Sequence, residues 1–154
     1  VEGGTEMRLS ARNQLLARVT DIDAGRVNGT VRLELTCGGG ISANISMKAI
    51  EWMQLVPDKT VYAVIKATEV MIAAEPVKIS ARNRIAGTIA DISNGAVNGM
   101  VLLDIGKGQQ ISSTISMESI RELDLHVGME VFAVFKATSV MIGLELDHIS
   151  FGLM

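Results

Sequence analysis

The sequence predicts an all-β chain with short helices, arranged as two tandem five-stranded barrel units. Three observations carry that prediction. First, the chain repeats itself at a shift of 70 residues without a gap: Ser10-Ala11-Arg12-Asn13 recurs as Ser80-Ala81-Arg82-Asn83, Val27-Asn28-Gly29 as Val97-Asn98-Gly99, Ile45-Ser46-Met47 as Ile115-Ser116-Met117, and Lys66-Ala67-Thr68 as Lys136-Ala137-Thr138. Second, hydrophobic residues make up 48% of the chain but aromatics only 3%, so Val, Ile, Leu, Ala and Met must fill the interior, as suits a small β-barrel. Third, short alternating segments are separated by turn signals. The units are expected at residues 7–73 and 77–143, with a C-terminal extension at 144–154. The joint Ala74-Glu75-Pro76 is short enough to hold the copies against each other.

Each element follows from its local pattern. Leu15 to Ile22 reads as a strand, closed by a turn at Asp23-Ala24-Gly25-Arg26, where the second copy has the stronger turn signal Ser93-Asn94-Gly95-Ala96. From Val27 to Leu35 the residues alternate, with Val27, Gly29, Val31, Leu33 and Leu35 on the inner face. Gly38-Gly39-Gly40 turns the chain into a strand at Ile41 to Ile45. The period then changes: Ser46 to Leu55, like Ser116 to Leu123, reads as one short helix with the Ser as N-cap. Val61 to Ile72 is a last strand rich in β-branched residues. Five strands with one short helix fit a Greek-key barrel of the OB type. Units of about 70 residues are near the lower limit for a self-sufficient core, which predicts a closed homo-oligomer.

Composition excludes several function classes. A net charge of −3 and a pI near 5.4 predict no direct nucleic-acid partner and no affinity for an anionic membrane. No apolar run approaches the roughly 20 residues that span a bilayer. The start, Val1-Glu2-Gly3-Gly4-Thr5-Glu6, is acidic and polar, unlike a secretory leader, and the single Cys37 fits a reducing compartment; both predict a cytoplasmic protein. Enzyme chemistry is not expected. His126 and His148 do not recur between copies, the repeated acid Asp21/Asp91 reads as a surface strand residue, and Gly38-Gly39-Gly40 lacks the Lys-Ser/Thr of a phosphate loop. One Cys and two scattered His give no metal-cation site, and no organic cofactor is implied.

What does recur is a set of donors. Lys66 and Lys136 sit in the most apolar stretch of each copy, where an ammonium either snorkels to the edge or meets an anion. Ser46 and Ser116 begin the short helices, where free N–H groups favour oxyanions beside a plain capping role. Ser119 adds a hydroxyl that copy one replaces with Ala49. Ser10 and Arg12, with Ser80 and Arg82, complete the set; a single such tetrapeptide also reads as a turn held by Asn with an ion pair from Arg. Hydroxyls, N–H groups, Lys and Arg without acids are the inventory for a tetrahedral dianion, not for calcium or magnesium.

The combination of Ser-Ala-Arg-Asn, Gly95-Ala96-Val97-Asn98, Ile115-Ser116-Met117-Glu118-Ser119 and Phe135-Lys136-Ala137-Thr138-Ser139-Val140 resembles the molbindin or Mop family, small cytoplasmic molybdate- and tungstate-binding proteins of TOBE-type OB units. The likeness covers both repeats. It implies storage or buffering of molybdate or tungstate without catalysis, in a homotrimer of two-unit chains with the oxyanion held between units. The alternative it implies is the effector-sensing region of a molybdate-responsive transcription regulator whose DNA-binding domain lies elsewhere. Carried over, the oxyanion-binding residues are Ser10, Arg12, Ser46, Lys66 and Ala67, and Ser80, Arg82, Ser116, Ser119, Lys136 and Ala137. A second site type uses Gly25, Val27 and Asn28, and Gly95, Val97 and Asn98. Copy one departs from the pattern at Arg26 and Ala49.

Overall fold

The computed structural model describes residues 7–145; the first six residues, His148 and the expected extension beyond Glu145 lie outside the described residues. In the first half the elements run β1 (Asn13–Asp23), β2 (Asn28–Leu35), β3 (Gly40–Ser46), α1 (Met47–Trp52), β4 (Thr60–Ile65) and β5 (Met71–Ala73). The second half repeats them as β6 (Asn83–Ser93), β7 (Asn98–Gly106), β8 (Gln109–Ser116), α2 (Met117–Glu122), β9 (Glu130–Phe135) and β10 (Met141–Gly143). A short 3-10 turn, Ala67–Glu69 or Ala137–Ser139, precedes β5 and β10. Both sheets are antiparallel and five-stranded, as the alternating pattern predicts.

The alternation places the core. Along β1 the side chains of Asn13, Leu15, Ala17 and Val19 point inward, and along β2 those of Val31, Leu33 and Leu35, with Gly29 buried on the same face. Val27 does not join them. It precedes the strand, is 74% exposed, and its carbonyl accepts the N–H of Met47 at 2.8 Å. The barrel interiors are aliphatic but for one ring, with Val19, Val31, Leu33 and Ile65 in one and Ile89, Val101, Leu103 and the aromatic Phe135 in the other. Each long strand is bent by a bulge at the same repeat position, Thr20 in β1 and Ala90 in β6.

The expected last strand, Val61 to Ile72, is two strands. After Ile65 the chain reverses in a 3-10 turn, with Glu69 N–H bonded to Lys66 O at 2.9 Å. Lys-Ala-Thr carries no Gly or Pro, so a long β-branched run gave no sign of the break. The reversal has a large consequence. β5 crosses to the other unit and pairs with β9, Met71 opposite Val134 and Ala73 opposite Phe132. β10 crosses back to β4, Met141 opposite Val64 and Gly143 opposite Tyr62. The sheet orders are therefore β10-β4-β1-β2-β3 and β5-β9-β6-β7-β8. Each 3-10 turn lies along the far edge of the other unit's barrel, Ala137–Ser139 against β3 and Ala67–Glu69 against β8. The copies are held by exchanged strands as well as by the joint, which runs from Ala74 on to Arg82 before β6 begins.

The seam carries its own polar pairing. Asn13 and Asn83 are each only 2% exposed. Asn83 Nδ2 donates to Ser42 O at 2.9 Å, and Ser42 N–H donates to Asn83 Oδ1 at 2.8 Å. Asn13 does the same with Ser112 at 2.9 and 2.7 Å. A side-chain amide thus stands in for a strand neighbour, and burial of both groups is compensated. Ser113, fully buried, donates its hydroxyl to Val70 O across the same seam. Ser139 donates to Glu69 at 2.7 Å. Residues 69 and 139 are equivalent positions of the repeat, so the pseudo-two-fold axis relating the units runs between them.

Candidate functional site

A cavity of about 420 Å³ opens at the seam and gathers donors from both units. Ser80, Ala81 and Arg82 form one wall on the run into β6, and Lys136, Ala137 and Thr138 form another at the end of β9. The third wall is Asn44, from β3 of the first unit, with Met71 of β5 and Ile79 adding apolar surface. The placement of Lys136 follows from the chain reversal. It caps the 3-10 turn in extended backbone (φ −75°, ψ 149°) and is exposed, as Lys66 is at φ −67° and ψ 140°. Neither lysine lies inside the apolar strand. Each stands one residue beyond it, so the ammonium keeps its hydration until a ligand arrives.

The electrostatic state of the cavity is set by what its cations lack. Two arginines elsewhere are neutralised in place: Arg18 bridges Glu34 and Asp58 at 2.7 Å each, and Arg32 meets Asp23 at 2.9 Å. The Arg18 guanidinium is pushed above its usual range by its hydrogen bonds to Glu34 and then Asp58. No carboxylate lines the seam cavity, and the side chains of Ser80, Arg82, Lys136, Thr138 and Asn44 have no hydrogen-bond partner among the described residues. Two formal positive charges and several unpartnered donors converge there. The same 70-residue shift places Ser10, Arg12, Lys66 and Ala67 in corresponding positions, with Thr114 in the place of Asn44. The 3-10 turn that starts at Ala67 packs on β8 as its counterpart packs on β3.

Ser46, Ser116 and Ser119 are elsewhere. Ser46 caps α1, accepting from Ala49 N–H at 3.0 Å, and Ser116 caps α2, accepting from Ser119 N–H at 3.0 Å. The Ser116 and Ser119 hydroxyls are joined at 2.9 Å, a pair that copy one lacks because it has Ala49. The wall of the seam cavity includes none of these three serines. They lie instead with the expected second set. Asn28 is opposite Ser46 and Asn98 opposite Ser116 in the β-ladders, and Val97 O accepts Met117 N–H at 2.8 Å. Gly25 and Gly95 permit this turn, since a Cβ on either would run into the main-chain oxygen of Asn28 or Asn98. Within one chain, therefore, the donors form two patches per unit: Ser-Ala-Arg with Lys-Ala at the seam, and Gly-x-Val-Asn with the helix start on the outside. Beside the outer patch Val27 and Val97 are each 74% exposed.

Asn44 carries no mark in the sequence, because its place in the wall depends on which unit a strand faces; Thr138 stands in the repeated Lys-Ala-Thr block but is not among the expected site residues. Asn13 and Asn83 hold no turn, and Arg12 and Arg82 form no ion pair among the described residues. Catalytic groups are not assembled around the cavity, whose lining has neither His nor carboxylate. Burial pushes the Cys37 thiol up, away from the reactive thiolate. Among the described residues no group of three or more His, Cys, Asp or Glu is placed to hold a metal ion. No helix among them is long and apolar enough to cross a membrane.

Comparison with known proteins shows what the chain is similar to. The molybdenum-pterin-binding protein MopA of Rhodobacter capsulatus is 39% identical over 140 residues, covering 90% of this chain and 53% of that protein. The molybdenum transport protein ModE of Azotobacter vinelandii is 34% identical over 139 residues, 90% of this chain and 52% of that one. The chain thus spans about half the length of these curated relatives. Among solved structures, the cytoplasmic molybdate-binding protein ModG with molybdate bound superposes with a TM-score of 0.88 at 35% identity, covering 90% of this chain and all of that one. The TOBE domain model matches residues 9–72 and again 79–142, almost the whole of both repeats, and the chain belongs to the TOBE domain family as a tandem pair.

Proposed function

We propose that this chain binds molybdate or tungstate reversibly and without catalysis, as a cytoplasmic store or buffer of the oxyanion. The observation that carries the reading is the seam cavity, whose Lys136, Arg82, Ser80 and Asn44 are donors without partners and whose wall has no carboxylate. A tetrahedral dianion matches its two cations in charge and offers four acceptor oxygens. Binding then rests on charge-assisted hydrogen bonds to the oxo groups, each contributing about 1.5–3 kcal/mol. No bond from the protein to the metal atom is needed. The molybdate-bound relative of matching length supports the ligand class.

Within one chain the seam donors and the helix-start donors occupy separate patches. We infer that a second copy brings its Ser116–Ser119 pair, or Ser46, up to the seam donors, in a closed homotrimer. The matched exposure of Val27 and Val97 supports burial of that outer patch between chains. Calorimetric titration with sodium molybdate, sodium tungstate and sodium sulfate tests the reading. Molybdate and tungstate are expected to bind alike, and sulfate, whose shorter bonds leave the donors out of contact, much more weakly. Sulfate binding as tight as molybdate, or no heat with any of the three, refutes it.

A further inference from the structure

The seam cavity takes one wall from the unit that does not supply its cations. On the first unit's β3, Ser42 and Asn44 stand two residues apart and so share a face of the strand. Ser42 is gripped through its main chain by the buried Asn83 amide at 2.8 and 2.9 Å, and Asn44 carries an amide with no partner among the described residues. On the other side of the grip, Asn83 directly follows Arg82. The clamp therefore lies one residue from the guanidinium wall and two from the amide wall. It fixes the spacing between them.

We propose that Asn44 contacts the oxyanion directly, donating its Nδ2–H to an oxo group from the opposite unit, and that Asn83 is the positioning residue that holds it there. The proposal rests on the reading that this cavity takes the oxyanion. It makes the two repeat-related donor sets unequal by construction. The counterpart of Asn44 is Thr114, whose hydroxyl is on a shorter side chain and reaches less far. The clamp itself is conserved within the chain, as Asn13 on Ser112, so the inequality comes from the contacting residue and not from the seam.

The test is calorimetric titration with sodium molybdate, far below the melting temperature, of the full chain and of the variants N44A, N44T, N83D and R82M. Asn44 is exposed, so N44A is expected to melt as the parent does without ligand while affinity at this cavity falls about 10-fold. N44T, which copies the residue of the other repeat, restores part of the loss. N83D replaces the donor facing Ser42 O with an oxygen, and affinity falls although Asn83 touches no ligand; N83S serves where N83D does not fold. The Asn44 side-chain amide resonance provides a readout that a merely structural Asn83 would not move. It shifts when molybdate is added to the parent and stays put in the folded Asn83 variant. If R82M weakens binding and N44A does not, or if the Asn44 resonance ignores molybdate, the inference is overturned and the oxyanion reading stands. If neither R82M nor N44A changes the titration, the oxyanion reading itself is overturned.

Discussion

Lys136 shows how much a single residue decides here. Its ammonium stands one position past a strand whose last three residues, Ala133, Val134 and Phe135, are all buried, yet it is itself exposed. Removing an exposed, unpaired charge leaves the ligand-free fold nearly unchanged. Lys136→Met is therefore expected to keep the melting temperature of the apo protein, while affinity for molybdate at its cavity drops by about 1.5–3 kcal/mol. Melting curves across a molybdate titration check both halves, since the ligand-induced rise should shrink in proportion. Gly95 presents the opposite case. Any Cβ there meets the main-chain oxygen of Asn98, so Gly95→Ala must move backbone and is expected to destabilise the chain by about 1–3 kcal/mol in denaturant unfolding. At this scale the sequence was informative wherever an exposed-type residue repeated. Ser80, Arg82 and Lys136 could be singled out from recurrence alone, and they line one cavity. Asn83 stands in the same tetrapeptide, where a turn held by Asn is only the bland alternative and nothing points to a clamp. Its partner, Ser42, is 41 positions away in the other unit, where no local pattern reaches.

The helices are short enough that their ends govern them. α1 and α2 have six residues each, too few for propensity to sustain them alone. Both depend on a serine cap and on one buried isoleucine, Ile50 or Ile120. Ser116→Ala is expected to cost about 1 kcal/mol in urea unfolding, and more than Ser46→Ala, because it also strands the Ser119 hydroxyl. The exit of α2 places Asp124 at φ 53°, a left-handed conformation that favours glycine. Asp124→Gly should therefore stabilise by a few tenths of a kcal/mol to about 1 kcal/mol, read as a raised urea midpoint with unchanged slope. Strands β1 to β3 and both helices were legible because alternation, turn residues and a cap all agreed. The end of each repeat was not. A run from Val61 to Ile72 has one composition whether it forms a single strand or two strands about a 3-10 turn, and only pairing partners distinguish them.

For the whole molecule, the exchange of β5 and β10 decides what counts as a folding unit. A chain ending after Glu75 keeps β5 but loses β10, so its first sheet has an open β4 edge and its own last strand has nowhere to lie. Two such fragments can satisfy each other in the register that the full chain already uses, since Met71 meets Val134 as Met141 meets Val64. Residues 1–75 are thus expected to form a dimer at micromolar concentration by light scattering. A folded monomer would show that the unit closes on itself. The two-fold repeat was visible in the sequence at once, but its reciprocal pairing was not, because a repeat records similarity and not contact.

The exchange also separates the covalent path from the mechanical one. A protease that cuts between Pro76 and Ile79, where the chain runs outside any strand and every residue is exposed, severs the polypeptide without dividing the particle. Each fragment still has a strand laid in the other's sheet and an asparagine gripping the other's backbone. The nicked protein should elute from a sizing column where the intact one does, and fall into two halves only in denaturant. The stretch from Pro76 to Ile79 is then a tether for assembly, dispensable once the units have clasped.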